Sequence, residues 1–296
     1  MTTFFDFSAE SVAALAKSDA ARAILEDVGG VDGTGDLTAG LVDPHHRARA
    51  IVLARENAIV CGTPWVQATL QQLDPTVQLN WLVRESQLCQ SCQVVLEIEG
   101  SARALLTAER TALNFLQLLS AVATRTHEFV QAVHEVADAK AQIVDTRKTL
   151  PGLRLAQKYA VRTGGGTNHR IGLYDAVLIK ENHIASAGGV TAVLQRAMQV
   201  APQASFVEIE VETLDQLSEA LAAGARMVLL DNMSLAQLRE AVQINAGRAI
   251  LEVSGGVSLA TVRTIAATGV DRISVGSLTK DIKAIDFSMR FSPESQ

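Results

Sequence analysis

An α/β protein in two parts is what this sequence predicts: an N-terminal α/β sandwich domain followed by an incomplete, about six-stranded, parallel α/β barrel. Three observations carry that expectation. Six short apolar segments recur from residue 142 onward, QIVDTRK (142–148), AVLIKEN (176–182), FVEIEVE (206–212), RMVLLDN (226–232), AILEVSGG (249–256) and DRISVGS (271–277), with helical segments such as TLDQLSEALAAGA and SLAQLREAVQINAG between the later ones. Strand and helix in alternation make parallel βαβ units. Each strand begins apolar and ends in a charged, hydroxyl or glycine residue, which is how barrel strands read when their C-terminal rim forms a site.

The elements before the barrel are simpler. Residues 8–28 space their apolar side chains as an amphipathic helix, and GGVDGTGDLT (29–38) interrupts it with four glycines and two aspartates. ARAIVLAREN and AIVCG, a helix led by Pro64, VQLNWLV and the alternating QVVLEIEG are short strands around one helix, placing a small α/β domain over about 1–110. Residues 107–137 form a long helix or a helix pair, apolar along one side. The barrel is expected over 111–280, with the tail from about 280 to 296 returning to the first domain.

Composition limits the function. A chain of 296 residues, 48% hydrophobic and 20% charged, can bury a large core. Its net charge of −6 argues against nucleic acid as a partner, since phosphate-backbone binding needs a basic face. The segment MTTFFDFSAE has no basic n-region and no apolar run nears the roughly 20 residues of a membrane span, so a cytoplasmic protein without a membrane partner is expected. Cys61, Cys89 and Cys92 do not make a disulfide framework. The Cys89–Cys92 CxxC has only His45, His46 and Cys61 nearby in sequence, without a second CxxC, and reads as a turn before a strand.

Charge is not evenly spread. Residues 140–183 hold eight Lys/Arg against three acids, a net of +5, so the rest of a chain at −6 carries −11. Arg147 and Lys148 close the first barrel strand, His169 and Arg170 come after the triple glycine 164–166, and Lys180 and His183 flank the end of the second strand. Guanidinium forks suit carboxylates and a lysine adds a point charge, so the set fits a ligand with two carboxylates, or a carboxylate and phosphates. Pairing with Asp145, Asp175 and Glu181 on a solvated face is the structural alternative. Across the rim Glu210 and Asp231 each close a strand and could hold Mg²⁺ or pair with the cations. Ser254, Gly255 and Gly256, with Gly276, Ser277 and Lys280, lie in the loops after the last two strands, where barrels commonly bind phosphate.

Over nearly its whole length the chain resembles the quinolinate phosphoribosyltransferase family, through GDLT (35–38), ERTALNFLQLLS (109–120), DTRKTLPGLR (145–154), KYAVRTGGGTNHRIGLYDAVLIKENH (158–183), EIEVE (208–212), LLDNM (229–233), EVSGG (252–256) and VGSLTK (275–280). The resemblance implies a two-domain subunit, a homodimer or higher oligomer with a shared site, and phosphoribosyl transfer from phosphoribosyl pyrophosphate to quinolinate with decarboxylation. It implies that Arg147, His169, Arg170 and Lys180 form the quinolinate pocket and that Arg110 comes from the neighbouring subunit. Lys148 would contact the sugar diphosphate, Glu210 and Asp231 the Mg²⁺ and ribose, and Ser254, Gly256 and Gly276 the 5-phosphate. Departures from the family pattern are Leu150, where a threonine is frequent, Ala121 for a glycine, a 29–35 loop a few residues long, and the CxxC. Other readings are a Schiff-base lyase using Lys180, a diverged anion-binding paralogue, and a nicotinate-type phosphoribosyltransferase.

Overall fold

The computed structural model describes residues 5–29, 35–200 and 202–291. The chain divides into unit 1, residues 1–125 with 281–296, and unit 2, residues 126–280. The division falls between Arg125 and Thr126, inside a single helix, rather than at the 110 read from sequence. Most of the 29–35 loop lies outside the described residues.

Unit 1 opens with helix α1 (Ala9–Val28), started by the Ser8 hydroxyl accepting the Ser11 N–H and stopped at Gly29 in the left-handed conformation. Strands β1 (Arg47–Ala54) and β2 (Ala58–Ile59) lead to α2 (Thr63–Leu73), with Pro64 in its first turn where a missing N–H costs nothing. Then come β3 (Gln78–Trp81), β4 (Leu88–Cys89), β5 (Val94–Ser101) and α3 (Ala102–His134). The uncertain 107–137 region is thus one helix, which enters unit 2 at Thr126. Beyond unit 2 the chain returns as β12 (Phe287–Phe291), making an antiparallel sheet in the order β12-β1-β5-β3. Register fixes the core: Val52 pairs with Leu96 and Met289, and Ala50 with Ile98. These alternate residues are buried with Leu105, Ala108, Ala112 and Leu116, which recur at helical spacing on α3. Cys61, Cys89 and Cys92 form no disulfide, and burial pushes the Cys89 thiol up from its ordinary value, so it is packing rather than a reactive group.

Unit 2 runs β6 (Gln142–Val144), α4 (Arg154–Thr163), β7 (Val177–Ile179), α5 (Glu181–Ala187), α6 (Val190–Val200), β8 (Val207–Val211), α7 (Leu214–Ala222), β9 (Met227–Asp231), α8 (Leu235–Asn245), β10 (Ile250–Ser254), α9 (Val262–Ala266), β11 (Arg272–Ser274) and α10 (Ser277–Lys280). The six strands form one parallel sheet in the order β6-β11-β10-β9-β8-β7. A closed barrel would pair β6 with β7; instead Thr167 bridges Val144 beside β6, and the glycine segment crosses toward β7. Gly166 makes this passage possible, because a Cβ there would stand 2.7 Å from Thr126 Cγ2 and 2.9 Å from Val161 Cγ1.

The two faces of this sheet differ chemically. Ile209, Val228, Leu251 and Val211, Leu230, Val253, Ile273, Ile143 are in register and buried, forming the apolar face. Side chains alternate along a strand, so the other face carries Glu208 and Glu210, Leu229 and Asp231, Glu252 and Ser254, Arg272 and Ser274. Barrel interiors are ordinarily layers of Val, Ile and Leu. Here the interior is largely polar, which costs desolvation that internal hydrogen bonds must offset.

Candidate active site

The strand carrying Arg147 and Lys148 ends earlier than the sequence suggested. β6 stops at Val144, and from there Asp145 organises the loop beyond the strand. Its carboxylate accepts the Lys158 ammonium at 2.5 Å, the Asn168 amide at 2.6 Å and the His169 N–H at 2.8 Å. Burial pushes the Asp145 carboxyl up and the Lys158 amine down, and their mutual attraction opposes both shifts. Lys158 also donates to the His169 carbonyl at 3.1 Å. Neither residue is on a solvated face; Asp145 holds the loop that carries the cations.

Arg147 and Lys148 lie on a segment tied to the last strand's loop. Thr279 Oγ1 donates to the Lys148 carbonyl at 2.7 Å, and Gln157 bridges the Leu150 N–H to the Thr279 carbonyl. The Lys148 side chain passes over Gly276, whose missing Cβ leaves it room. Lys148 is therefore next to the loop of Gly276, Ser277 and Lys280. The buried Nε of Arg147 has no hydrogen-bond partner. Arg170 donates only a long 3.5 Å bond to the Ala176 carbonyl, and burial, together with the nearby Arg147 charge, presses its guanidinium below its ordinary value. Among the described residues neither arginine has a carboxylate at ion-pair distance. The Arg147 charge opposes that of Arg170, while Asp175 and Glu208 offset it in part without reaching ion-pair distance.

Lys180 closes β7 as the N-cap of α5 and lies 3.1 Å from the Glu210 carboxylate. His183 Nδ1 accepts the Lys180 N–H at 2.9 Å, so this histidine serves the helix start. One layer along the same rim, Asn232 donates to Asp231 at 2.7 Å, and Ser254 is in register with Asp231 on the adjoining strand. Gly255 has φ +98° and Gly256 φ +59°, conformations a side chain rarely adopts, and a Cβ on Gly255 would overlap the Asn232 amide oxygen. Arg110 is exposed on α3 in unit 1.

His169 is the predicted pocket residue that the structure places differently. It is buried, 7% exposed, with its ring edge-on to Phe206 at 5.4 Å. Its Nδ1 accepts the Arg170 N–H at 2.8 Å and its Nε2 meets Glu208 Oε2 at 2.7 Å. Both ring nitrogens are engaged, so no N–H remains for a ligand.

Sequence reasoning missed the layer beneath the rim. Glu208, Glu252 and Arg272 lie within it, with Glu252 Oε2 3.0 Å from Arg272 Nε and Glu252 Oε1 accepting the Ser274 hydroxyl. Burial pushes Glu208 to about 7, opposed by Arg272. Burial and the like charge of Glu208 push Glu252 to about 7 as well. Burial holds His169 below its ordinary value, keeping it neutral. The spacing of Glu208 and Glu210 was the available signal, since residues two apart on a strand share a face.

Comparison with known proteins covers nearly the whole chain. The family descriptions "Quinolinate phosphoribosyl transferase, N-terminal domain" and "C-terminal domain" match residues 36–120 and 122–290. A probable nicotinate-nucleotide pyrophosphorylase (carboxylating) of Bacillus subtilis is 39% identical over 265 residues, covering 90% of this chain and 89% of the relative. A quinolinate phosphoribosyltransferase (decarboxylating) of Nicotiana glauca is 37% identical over 291 residues, covering 92% and 81%. The solved structure of the nicotinate-nucleotide pyrophosphorylase from Francisella tularensis matches with a TM-score of 0.89 at 44% identity, covering 95% and 97%. With both domains matched in order and relatives alike over most of their length, the chain belongs to the quinolinate phosphoribosyltransferase family.

Proposed function

We propose that the protein transfers phosphoribosyl from phosphoribosyl pyrophosphate to quinolinate with decarboxylation, giving nicotinate mononucleotide, pyrophosphate and CO₂ in NAD biosynthesis. The observation that carries this reading is the pair Arg147 and Arg170, whose charges oppose each other and which, among the described residues, have no carboxylate at ion-pair distance. A dicarboxylate supplies what both lack. A one-carboxylate ligand such as nicotinate would leave one guanidinium unanswered. Lys180 has a carboxylate partner in Glu210, the opposite of the apolar pocket or cationic neighbour an imine-forming lysine needs.

Both substrates are polyanions, and the cations reduce their mutual repulsion. The pyridine nitrogen forms a bond to ribose C1 as the C1–oxygen bond to diphosphate breaks, its electron pair leaving with the diphosphate through an oxocarbenium-like state. The ring nitrogen is now cationic. The bond from C2 to its carboxylate then breaks, CO₂ departs, the electron pair remains at C2 stabilised by the ring charge, and a proton from solvent completes the product. Arg147 and Arg170 hold the two carboxylates, Lys180 orients between them and Glu210, and Lys148 meets the diphosphate beside Gly276. Ser254, Gly255, Gly256, Gly276, Ser277 and Lys280 receive the 5-phosphate.

Glu210 and Asp231 fit Mg²⁺: they lie on neighbouring strands and one face, and this ion takes one or two carboxylates, completing its shell with water and phosphate oxygens. Bound Mg²⁺ supplies charge that makes diphosphate a better leaving group. We further propose a homodimer or higher oligomer in which Arg110 serves a neighbour's site, and a cytoplasmic location; among the described residues no helix is long and apolar enough to cross a membrane. The test is an assay with Mg²⁺, phosphoribosyl pyrophosphate and either quinolinate or nicotinate, following mononucleotide and CO₂ together. Quinolinate-dependent CO₂ matching mononucleotide supports the reading. Turnover of nicotinate alone overturns the dicarboxylate pocket.

A further inference from the structure

Four consecutive backbone N–H groups, His169 to Gly172, belong to no helix or strand, yet each has an acceptor. His169 N–H goes to Asp145 Oδ1 at 2.8 Å, Ile171 N–H to Asp175 Oδ2 at 2.7 Å and Gly172 N–H to Asp175 Oδ1 at 2.8 Å. Arg170 N–H goes to His169 Nδ1 at 2.8 Å. Carboxylate acceptors work whenever they are ionised. An imidazole nitrogen accepts only when the ring proton sits on the other nitrogen.

That condition is met by Glu208. Its Oε2 lies 2.7 Å from His169 Nε2, where an acceptor stabilises the Nε2–H form. Were the proton on Nδ1, it would face the Arg170 N–H donor to donor. The other groups around the ring leave this choice to Glu208: Glu252 Oε1 is more distant at 3.6 Å, Arg272 is engaged with Glu252, Lys158 contacts the His169 carbonyl rather than the ring, and Phe206 packs edge-on without accepting a proton. The same protonation bears on a metal. Ligand atoms of His169, Glu208 and Glu252 lie within 4.8 Å of one another, but an Nε2 that carries a proton has no lone pair to give an ion.

We propose that Glu208 is a positioning residue for the dicarboxylate pocket: by holding His169 as the Nε2–H tautomer it fixes the backbone, and so the guanidinium, of Arg170. This rests on the reading of Arg170 as a carboxylate-binding group. Glu208 is fully buried and acts through two other residues. What it must supply is an acceptor rather than a negative charge.

Two substitutions separate those properties. Glu208→Leu removes the acceptor and the charge, whereas Glu208→Gln removes the charge and keeps a carbonyl that can accept the Nε2 proton. Steady-state kinetics should show Glu208→Leu raising the quinolinate KM about tenfold or more, with the KM for phosphoribosyl pyrophosphate within about twofold of wild type. Glu208→Gln should stay within about threefold of wild type for both substrates. An active wild type with an unchanged quinolinate KM in Glu208→Leu overturns the proposal, as does Glu208→Gln matching Glu208→Leu, which would make charge the operative property. A wild type that turns over no quinolinate overturns the pocket reading itself and this inference with it. Should Glu208→Leu not fold, nitrogen NMR of the ¹⁵N-histidine-labelled wild type decides: Nε2–H with bare Nδ1 supports the proposal, and a protonated Nδ1 on His169 overturns it.

Discussion

The Lys158 ammonium lies 2.5 Å from the Asp145 carboxylate with neither side chain reaching solvent, and this pair joins helix α4 to the loop that bears His169 and Arg170. Breaking a buried pair by removing one partner leaves an uncompensated charge and costs about 3–5 kcal/mol. Lys158→Met is expected to lose that much in urea unfolding, and to lose quinolinate turnover at temperatures where it remains folded. A loss under about 1 kcal/mol would show that the pair is not the loop's anchor.

Arg147→Ala should abolish measurable quinolinate binding, because the neighbouring Arg170 would then face two carboxylates alone. Arg147→Lys should recover little, since a single ammonium does not reproduce a planar two-donor fork. Kinetics with quinolinate are the check, with kcat/KM expected to fall about a hundredfold or more for the alanine variant. Near-normal values would remove Arg147 from the pocket.

The buried acids give stability a defined pH dependence. Glu252 is raised from 4.5 to about 7, so between those values the unfolded chain has released a proton that the folded chain retains. Its favourable contribution is complete below 4.5 and is lost as pH rises through about 7. Glu252→Gln cannot titrate. Urea midpoints at pH 5 and pH 8 should therefore show the variant gaining on wild type at the higher pH, and a constant difference would refute the assignment.

Gly255→Ala places a methyl group against the Asn232 side chain at a backbone φ of +98°. Left-handed strain costs about 1–2 kcal/mol. The larger effect should be functional, because Asn232 donates to Asp231 at 2.7 Å and would be displaced. The KM for phosphoribosyl pyrophosphate and the Mg²⁺ requirement are expected to rise more than the quinolinate KM. An equal rise in both KM values would place this loop away from the sugar phosphate.

Much of the architecture was legible because it rests on local pattern. Ser8 and Gly29 bracket α1, Pro64 opens α2, and Asp231 and Ser254 do terminate their strands. Less legible was where a strand yields to a loop: QIVDTRK reads as continuous, but Asp145 turns its side chain to Lys158 and the ladder ends at Val144. Least legible was the charged layer of Glu208, Glu252 and Arg272, for which the Glu208 and Glu210 spacing on β8 was the only local signal. Only the curl of the parallel sheet brings Glu208 on β8 and Glu252 on β10 to the same imidazole, and sequence periodicity reports a face without reporting what lies across from it.

The return of β12 to β1 has a consequence for how the molecule is made. Phe287 and Met289 complete the core of unit 1, yet they are synthesised after every residue of unit 2. During translation the N-terminal sheet therefore waits with β1's edge unpaired while the parallel sheet emerges whole. Closing so distant a pairing is entropically slow and leaves a strand edge open to other chains in the interval. A nascent-chain vulnerability is thus located at β1, and a ribosome-stalled chain ending before Phe287 should be the species most readily captured by holdase chaperones.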